Sequence, residues 1–232
     1  MKKDQSLTNL FETKDGSHSI FSAQHGVSYH SKYGAIQETE HVFINAGLRM
    51  KAVLQRDISV LGIGFGTGLN AFMTYLEAQK RNLSIQYIGV EAFPVDMETV
   101  QILNYPQQLQ AEETADIFLQ MHRTPANTPT LLNHFEDVSA FEFTRLEQTF
   151  ETLTFENQFD IIYYDAFAPS AQPELWETPI LQKMYDALKA DGIFVTYCAK
   201  GEFKRTLKAI GFTVERLPGP PGKREMTRAL KI

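Results

Sequence analysis

A single cysteine, Cys198, occurs in 232 residues, which excludes an internal disulfide and a thiolate metal cluster. A lone thiol suits a reducing compartment, and its apolar neighbours predict a small buried side chain in a strand. Nowhere do about 18 apolar residues run together, so no membrane-spanning helix and no membrane partner are expected. The first thirteen residues carry Lys2 and Lys3 but no apolar stretch of signal-peptide length. These absences together predict a cytoplasmic protein. The histidines (His18, His25, His30, His41, His122 and His134) lack ligand spacing and read as structural or surface residues, so no metal is expected. Internal repeats and low-complexity tracts are also missing.

What is present suits one well-buried core. Apolar residues make up 43% of the chain and charged residues 22%, too short a chain for two ordinary enzyme domains. The division expected is an N-terminal β-rich extension, 1–50, packed on a main domain, 51–232. Net charge is −6, mildly against a nucleic-acid partner, but the average hides an asymmetry. From Ala199 to Ile232 there are nine Lys/Arg against three Asp/Glu, a basic island of +6 on a body of −12. Either a solvated tail or a polyanion-contacting surface accounts for it.

Past residue 50 the hydrophobic pattern alternates. Apolar runs at Ile58–Ile63, Ile85–Val90, Leu131–Phe135, Phe159–Tyr164 and Gly192–Tyr197 read as buried parallel strands. Helical spacing falls at Leu69–Lys80, Pro94–Leu103, Gln107–Met121, Val138–Phe150, Pro173–Ala190 and Glu202–Ile210. This order predicts an α/β fold with a mostly parallel, doubly wound sheet. Extended pieces surround an Asp15-Gly16 turn at the front, and two strands, Phe212–Arg216 and Thr227–Ile232, flank a Pro-Gly loop at the back. Asn104–Thr130 reads as an insertion.

The first strand runs into Gly64-Phe65-Gly66-Thr67-Gly68 and then a helix. Glycines allow a sharp turn and close ligand approach, and a helix start offers free N–H groups. The dinucleotide fingerprint Gly-x-Gly-x-x-Gly fails: counted from Gly62 its last position is Thr67, counted from Gly64 it is Leu69. A P-loop lysine is missing as well. The spacing present resembles the Gly-x-Gly-x-Gly loop of class I methyltransferases, which bind S-adenosylmethionine on a Rossmann-like sheet. Glu91, at the end of the second strand, is placed to accept bonds from ribose hydroxyls, and Asp137, after the third, to hold an adenine amino group. The fourth strand delivers Asp165-Ala166-Phe167-Ala168-Pro169, which resembles the Asp-Pro-Pro-Tyr type of motif in enzymes that methylate nitrogen. Asp165 also suits a helix N-cap or turn.

These segments, with Glu91-Ala92-Phe93-Pro94, Pro173-Glu174-Leu175-Trp176, Gly222-Lys223-Arg224-Glu225-Met226 and Glu38-Thr39-x-x-Val42-Phe43, resemble the tRNA 5-methylaminomethyl-2-thiouridine methyltransferase family. In bacteria that family forms the methyltransferase half of a bifunctional protein. The resemblance spans roughly residues 28 to 230. It implies S-adenosylmethionine, with no FAD and no metal, and methylation of the primary aminomethyl group on the wobble uridine of tRNA. Asp165 becomes the catalytic candidate that also touches the cofactor, beside Gly64, Phe65, Gly66, Thr67, Gly68, Glu91 and Asp137. Phe167, Pro169, Lys223 and Arg224 become candidates for the tRNA side. A stand-alone form is expected, without the FAD-dependent oxidoreductase half, which would then be a separate partner. Two other readings stay open from the residues alone: a methyltransferase or aminopropyltransferase-like enzyme acting on a small amine or a protein, and a non-catalytic Rossmann-like binding module.

Overall fold

A computed structural model describes residues 9–132 and 140–232. Three short antiparallel strands, β1 (Leu10–Glu12), β2 (His18–Ser22) and β3 (Val27–Ser28), form a small sheet of their own. The remainder of the expected β-rich extension is helical: α1 (Ala35–Thr39), a π-helical stretch over Glu40–Arg49, and α2 (Met50–Ala52). In the π-helical stretch the consecutive residues Val42, Phe43 and Ile44 are all buried.

The alternating part follows as β4 (Asp57–Ile63), α3 (Leu69–Arg81), β5 (Ser84–Val90), α4 (Met97–Gln101), α5 (Tyr105–Gln108), α6 (Ala115–Arg123), β6 (Thr130–Leu131), β7 (Phe141–Leu146), β8 (Phe159–Tyr164), α7 (Thr178–Ala187), β9 (Leu188–Thr196), α8 (Gly201–Ile210), β10 (Thr213–Pro218) and β11 (Glu225–Lys231). The sheet order is β10-β11-β9-β8-β4-β5-β7-β6. Strands β7, β5, β4, β8 and β9 are parallel, and β11 runs antiparallel between β9 and β10.

The third parallel strand is therefore not where the apolar run placed it. Thr130-Leu131 pairs antiparallel with β7 as a sheet edge, and β7 lies inside the stretch expected to be helix at Val138–Phe150. The reason is a period of two: Phe141 and Phe143 are fully buried, packed on Tyr87, while Glu142 and Thr144 alternate with them. The single helix expected at Gln107–Met121 is divided into α5, a 3-10 turn at Glu112–Thr114, and α6.

Alternation also divides the core. On β8, Ile161 and Tyr163 pack with the π-helical stretch, α3 and α6, while Ile162 and Tyr164 pack with α7 and α8. Burying both faces explains why these strands read as continuous apolar runs. Cys198 is buried just beyond β9. Among the described residues no helix is long and apolar enough to cross a membrane.

Candidate active site

Strand register decides what meets at the sheet's rim. Ile63 pairs with Val90 on one side and with Tyr164 on the other, so the next residues of the three strands, Gly64, Glu91 and Asp165, emerge together. The order of strands reverses at β4, and ligands of open α/β sheets collect at the carboxyl ends beside such a reversal. Backbone bonds lock the junction. Asp165 N–H donates to the Ile63 carbonyl at 2.9 Å, and the N–H groups of Gly64 and Phe65 donate to that of Val90 at 3.1 and 3.0 Å.

The turn requires glycine. Gly64 has φ +85° and Gly68 φ +77°, and a Cβ at these positions would stand 2.8 Å from the Asp165 carbonyl oxygen and 2.6 Å from His122 Nε2. Gly68 is the N-cap of α3, so the turn ends on first-turn N–H groups without helical acceptors. Behind it, Thr67 is fixed by Tyr105, whose hydroxyl donates to Oγ1 at 3.1 Å, and by His122 Nε2, 3.1 Å from its carbonyl.

Glu91 accepts from Gly66 N–H at 3.0 Å through Oε2 and from Phe93 N–H at 2.9 Å through Oε1. Burial raises its pKa above the ordinary carboxylate value. Each oxygen has a second lone pair to offer a ligand hydroxyl. Asp137 lies outside the described residues. Beyond the end of the third parallel strand, β7, Thr149, Phe150 and Glu151 line the cavity wall.

Asp165 caps no helix: it lines the cavity, and its Oδ2 accepts from Asn70 Nδ2 at 2.8 Å. The Thr39 hydroxyl donates to Asn70 Oδ1 at 2.9 Å, so the amide presents its N–H₂ end to Asp165. Burial, and then the nearby Glu38 carboxylate, push the Asp165 pKa up to about 7, while the Asn70 bond and Lys223 oppose the shift. Lys223 is not a free surface cation. Its Nζ donates to Glu38 Oε1 at 2.6 Å and stands 3.8 Å from the Tyr197 ring centre, and the Tyr197 hydroxyl donates to the Ala166 carbonyl at 2.8 Å. Arg224 is exposed.

Gly64, Phe65, Gly66, Thr67, Glu91, Asp165 and Phe167 line one cavity. Pro169 does not: the chain turns at Ala168, whose carbonyl accepts from the N–H groups of Ala171 and Gln172, and Pro169 lines a neighbouring groove with Trp176 and Lys200. The far wall comes from the N-terminal hairpin. His25 and Tyr29 pack on Phe167 with ring centres 4.8 and 5.1 Å away, and Ser22, Gln24 and His30 complete it. Burial raises the Tyr29 pKa to about 12 and lowers that of His30 to about 4. Their sequence context marks His25 and His30 only as structural or surface residues, and no motif signals their place here. Among the described residues no group of three His, Cys, Asp or Glu is arranged to hold a metal ion.

A parallel rim with a three-glycine turn, helix-start N–H groups and a buried acid beside it fits an adenosyl sulfonium. A family model described as S-adenosyl-L-methionine-dependent methyltransferase matches residues 114–232, and the chain belongs to that family. Its fold is the Rossmann-like class I methyltransferase fold, and its cofactor is S-adenosylmethionine. Among curated relatives, the tRNA 5-methylaminomethyl-2-thiouridine biosynthesis bifunctional protein MnmC of Aromatoleum aromaticum is 30% identical over 214 residues, 89% of this chain and 33% of the relative. That of Leptospira borgpetersenii serovar Hardjo-bovis (strain L550) is 28% identical over 206 residues, 85% of this chain and 31% of the relative. The chain spans about a third of the length of the relatives it matches. Among solved structures, MNMC2 from Aquifex aeolicus superposes with a TM-score of 0.73 at 24% identity, covering 95% of this chain and 69% of that one. A spermidine synthase in complex with the transition-state analogue AdoDATO gives 0.51 at 20% identity, covering 93% and 70%. Both likenesses concern the fold.

Proposed function

We propose that this chain transfers the methyl group of S-adenosylmethionine to the primary aminomethyl nitrogen on the wobble uridine of tRNA, giving the secondary amine. The observation that carries the reading is Asp165, a desolvated carboxylate on the cavity wall beside the glycine turn, oriented by Asn70 and Thr39. The names of the MnmC relatives and the motifs shared with them support the choice of acceptor.

When bound, the cofactor supplies an electrophilic methyl group for in-line displacement. Gly64 to Gly68 and Glu91 would hold it, with Thr149, Phe150 and Glu151 beside the base. The chain's residues must make the acceptor reactive. A primary alkylamine has a pKa near 10, so only about one molecule in a thousand is neutral at pH 7. Asp165 captures the ammonium and points it toward the rim. With a pKa near 7 it also accepts a proton from that nitrogen more readily than an ordinary carboxylate does. Transfer from an amine of pKa about 10 is uphill by about 4 kcal/mol, which desolvation of the ammonium reduces. Phe167, His25 and Tyr29 pack together as one wall of the acceptor side. Arg224 and the Lys223 loop meet the tRNA backbone.

The test is transfer of a labelled methyl group to undermodified tRNA. Wild type labels the RNA, and Asp165→Ala binds cofactor normally but loses turnover by a factor of 100 or more, the scale of a removed proton-transfer group. Near-native turnover in Asp165→Ala removes Asp165 from this role. Label appearing only in a small amine or a protein overturns the tRNA assignment.

A further inference from the structure

The loop that carries Lys223 is docked on Tyr33, before α1, on Glu38 in α1 and on His41 at the start of the π-helical stretch. His41 Nε2 lies 2.7 Å from the Pro218 carbonyl, Lys223 pairs with Glu38, and Gly222 meets the Tyr33 ring so closely that a Cβ there would stand 2.2 Å from Tyr33 Cδ2. Tyr33 is thereby packed against the loop at the surface, half-buried, next to the Lys223 that pairs with Glu38 near the acceptor carboxylate.

Two cations frame that ring. Lys14 Nζ is 4.6 Å and Lys32 Nζ 5.8 Å from its centre, and the Lys14 N–H donates to the Lys32 carbonyl at 3.1 Å, holding the two segments together. Both lysines are exposed, and among the described residues neither has a carboxylate within ion-pair distance. The acids nearby are already engaged. Asp15 accepts from Thr13, Ser17 and the Gln37 N–H, and Glu38 accepts from Lys223 and the Ser31 N–H. Arg224, exposed, follows two residues after Gly222. On a chain of net charge −6 this is a local excess of positive charge around a fixed aromatic ring.

We propose that Tyr33, Lys14 and Lys32 form a docking platform for the single-stranded RNA beside the modified nucleotide. A base stacks on Tyr33, and the exposed ammonium groups swing from the ring onto adjacent phosphates. Stacking on an aromatic together with backbone-tracking cations is the usual way to hold unpaired nucleotides without reading sequence. The inference rests on the RNA reading above and deepens it.

The test uses the full chain and an anticodon stem-loop RNA, with binding followed by fluorescence anisotropy against salt. Tyr33→Ala is expected to raise Kd about tenfold, while Tyr33→Phe, which keeps the stacking face, stays near wild type. Lys14→Glu and Lys32→Glu each lower the slope of log K against log salt by about 0.7. Cofactor affinity by calorimetry remains unchanged in all four variants. Wild-type RNA affinity in Tyr33→Ala and in both lysine variants overturns the platform and leaves the RNA reading standing. An equal loss of heparin binding in Tyr33→Ala overturns the stacking role, since heparin has no bases. A wild-type chain that binds no RNA defeats both readings at once.

Discussion

Replacing Asp165 by Asn separates the demands of folding from those of catalysis. The carboxyl pKa moves from 3.8 to about 7 on folding, so the folded state binds its proton more tightly than the unfolded chain does. Stability from this group is fully present below pH 3.8 and is lost as pH rises through 7. With these two values, linkage gives a cost of about 2 kcal/mol at pH 5 and about 4 kcal/mol at pH 8, an upper bound because Asp165 is only partly buried. Asn cannot ionise, and its carbonyl accepts the same bond from Asn70. The Asp165→Asn variant is therefore expected to gain about 2 to 3 kcal/mol on wild type between pH 5 and pH 8. For a chain of this size that is a relative rise in Tm of roughly 5–10 °C. Buried His30 and His122 titrate alike in both proteins and cancel. Thermal melts at the two pH values give the number directly. The same difference at both values refutes the claim that Asp165 is held desolvated.

Other expectations follow from the same geometry. Gly68→Ala forces a left-handed φ on a side chain that stands 2.6 Å from His122, and is expected to cost 2 kcal/mol or more and weaken cofactor binding, whereas Gly26→Ala, with φ +67° and nothing within 4 Å, should cost only about 1 kcal/mol in chemical denaturation. Burial lowers the His122 pKa to about 4, so its contribution is present above pH 6.5 and lost as pH falls toward 4. His122→Gln should remove up to about 3 kcal/mol of the acid-side fall in stability, read from urea midpoints between pH 7 and pH 4. Arg224→Glu should weaken tRNA binding at low salt with little change in Tm, while Lys223→Glu should also destabilise the fold by a few kcal/mol by leaving Glu38 buried without its cation. Unchanged tRNA affinity in both variants would remove the Pro-Gly loop from the interface.

Much of the framework was legible because it obeys one simple pattern. Strands β4, β5, β8 and β9 are buried on both faces and stand out as apolar runs, and the glycine turn announces itself by composition. Strand β7 escaped because its Phe141-Glu142-Phe143 alternation lies in a polar stretch with no turn signal before it and does not form a continuous apolar run. With the third strand expected upstream, Thr149–Glu151 drew no attention as part of the cavity wall, while Asp137 lies outside the described residues. Other parts depend on long-range contacts that no local pattern encodes. His25 and Tyr29 reach Phe167 across about 140 residues, and Lys223 finds Glu38 across 185. The basic island was half legible for the same reason. Lys204, Lys223 and Arg228 in it are paired with Glu225, Glu38 and Glu215, while Lys200, Arg205, Lys208 and Arg224 face solvent.

The most direct measurement is mass spectrometry of nucleosides from tRNA bearing 5-aminomethyl-2-thiouridine, before and after incubation with pure protein and S-adenosylmethionine. The account expects one methyl group to appear on that nucleoside and nowhere else, and only when cofactor is present. A chain that binds cofactor yet leaves that nucleoside's mass unchanged contradicts it.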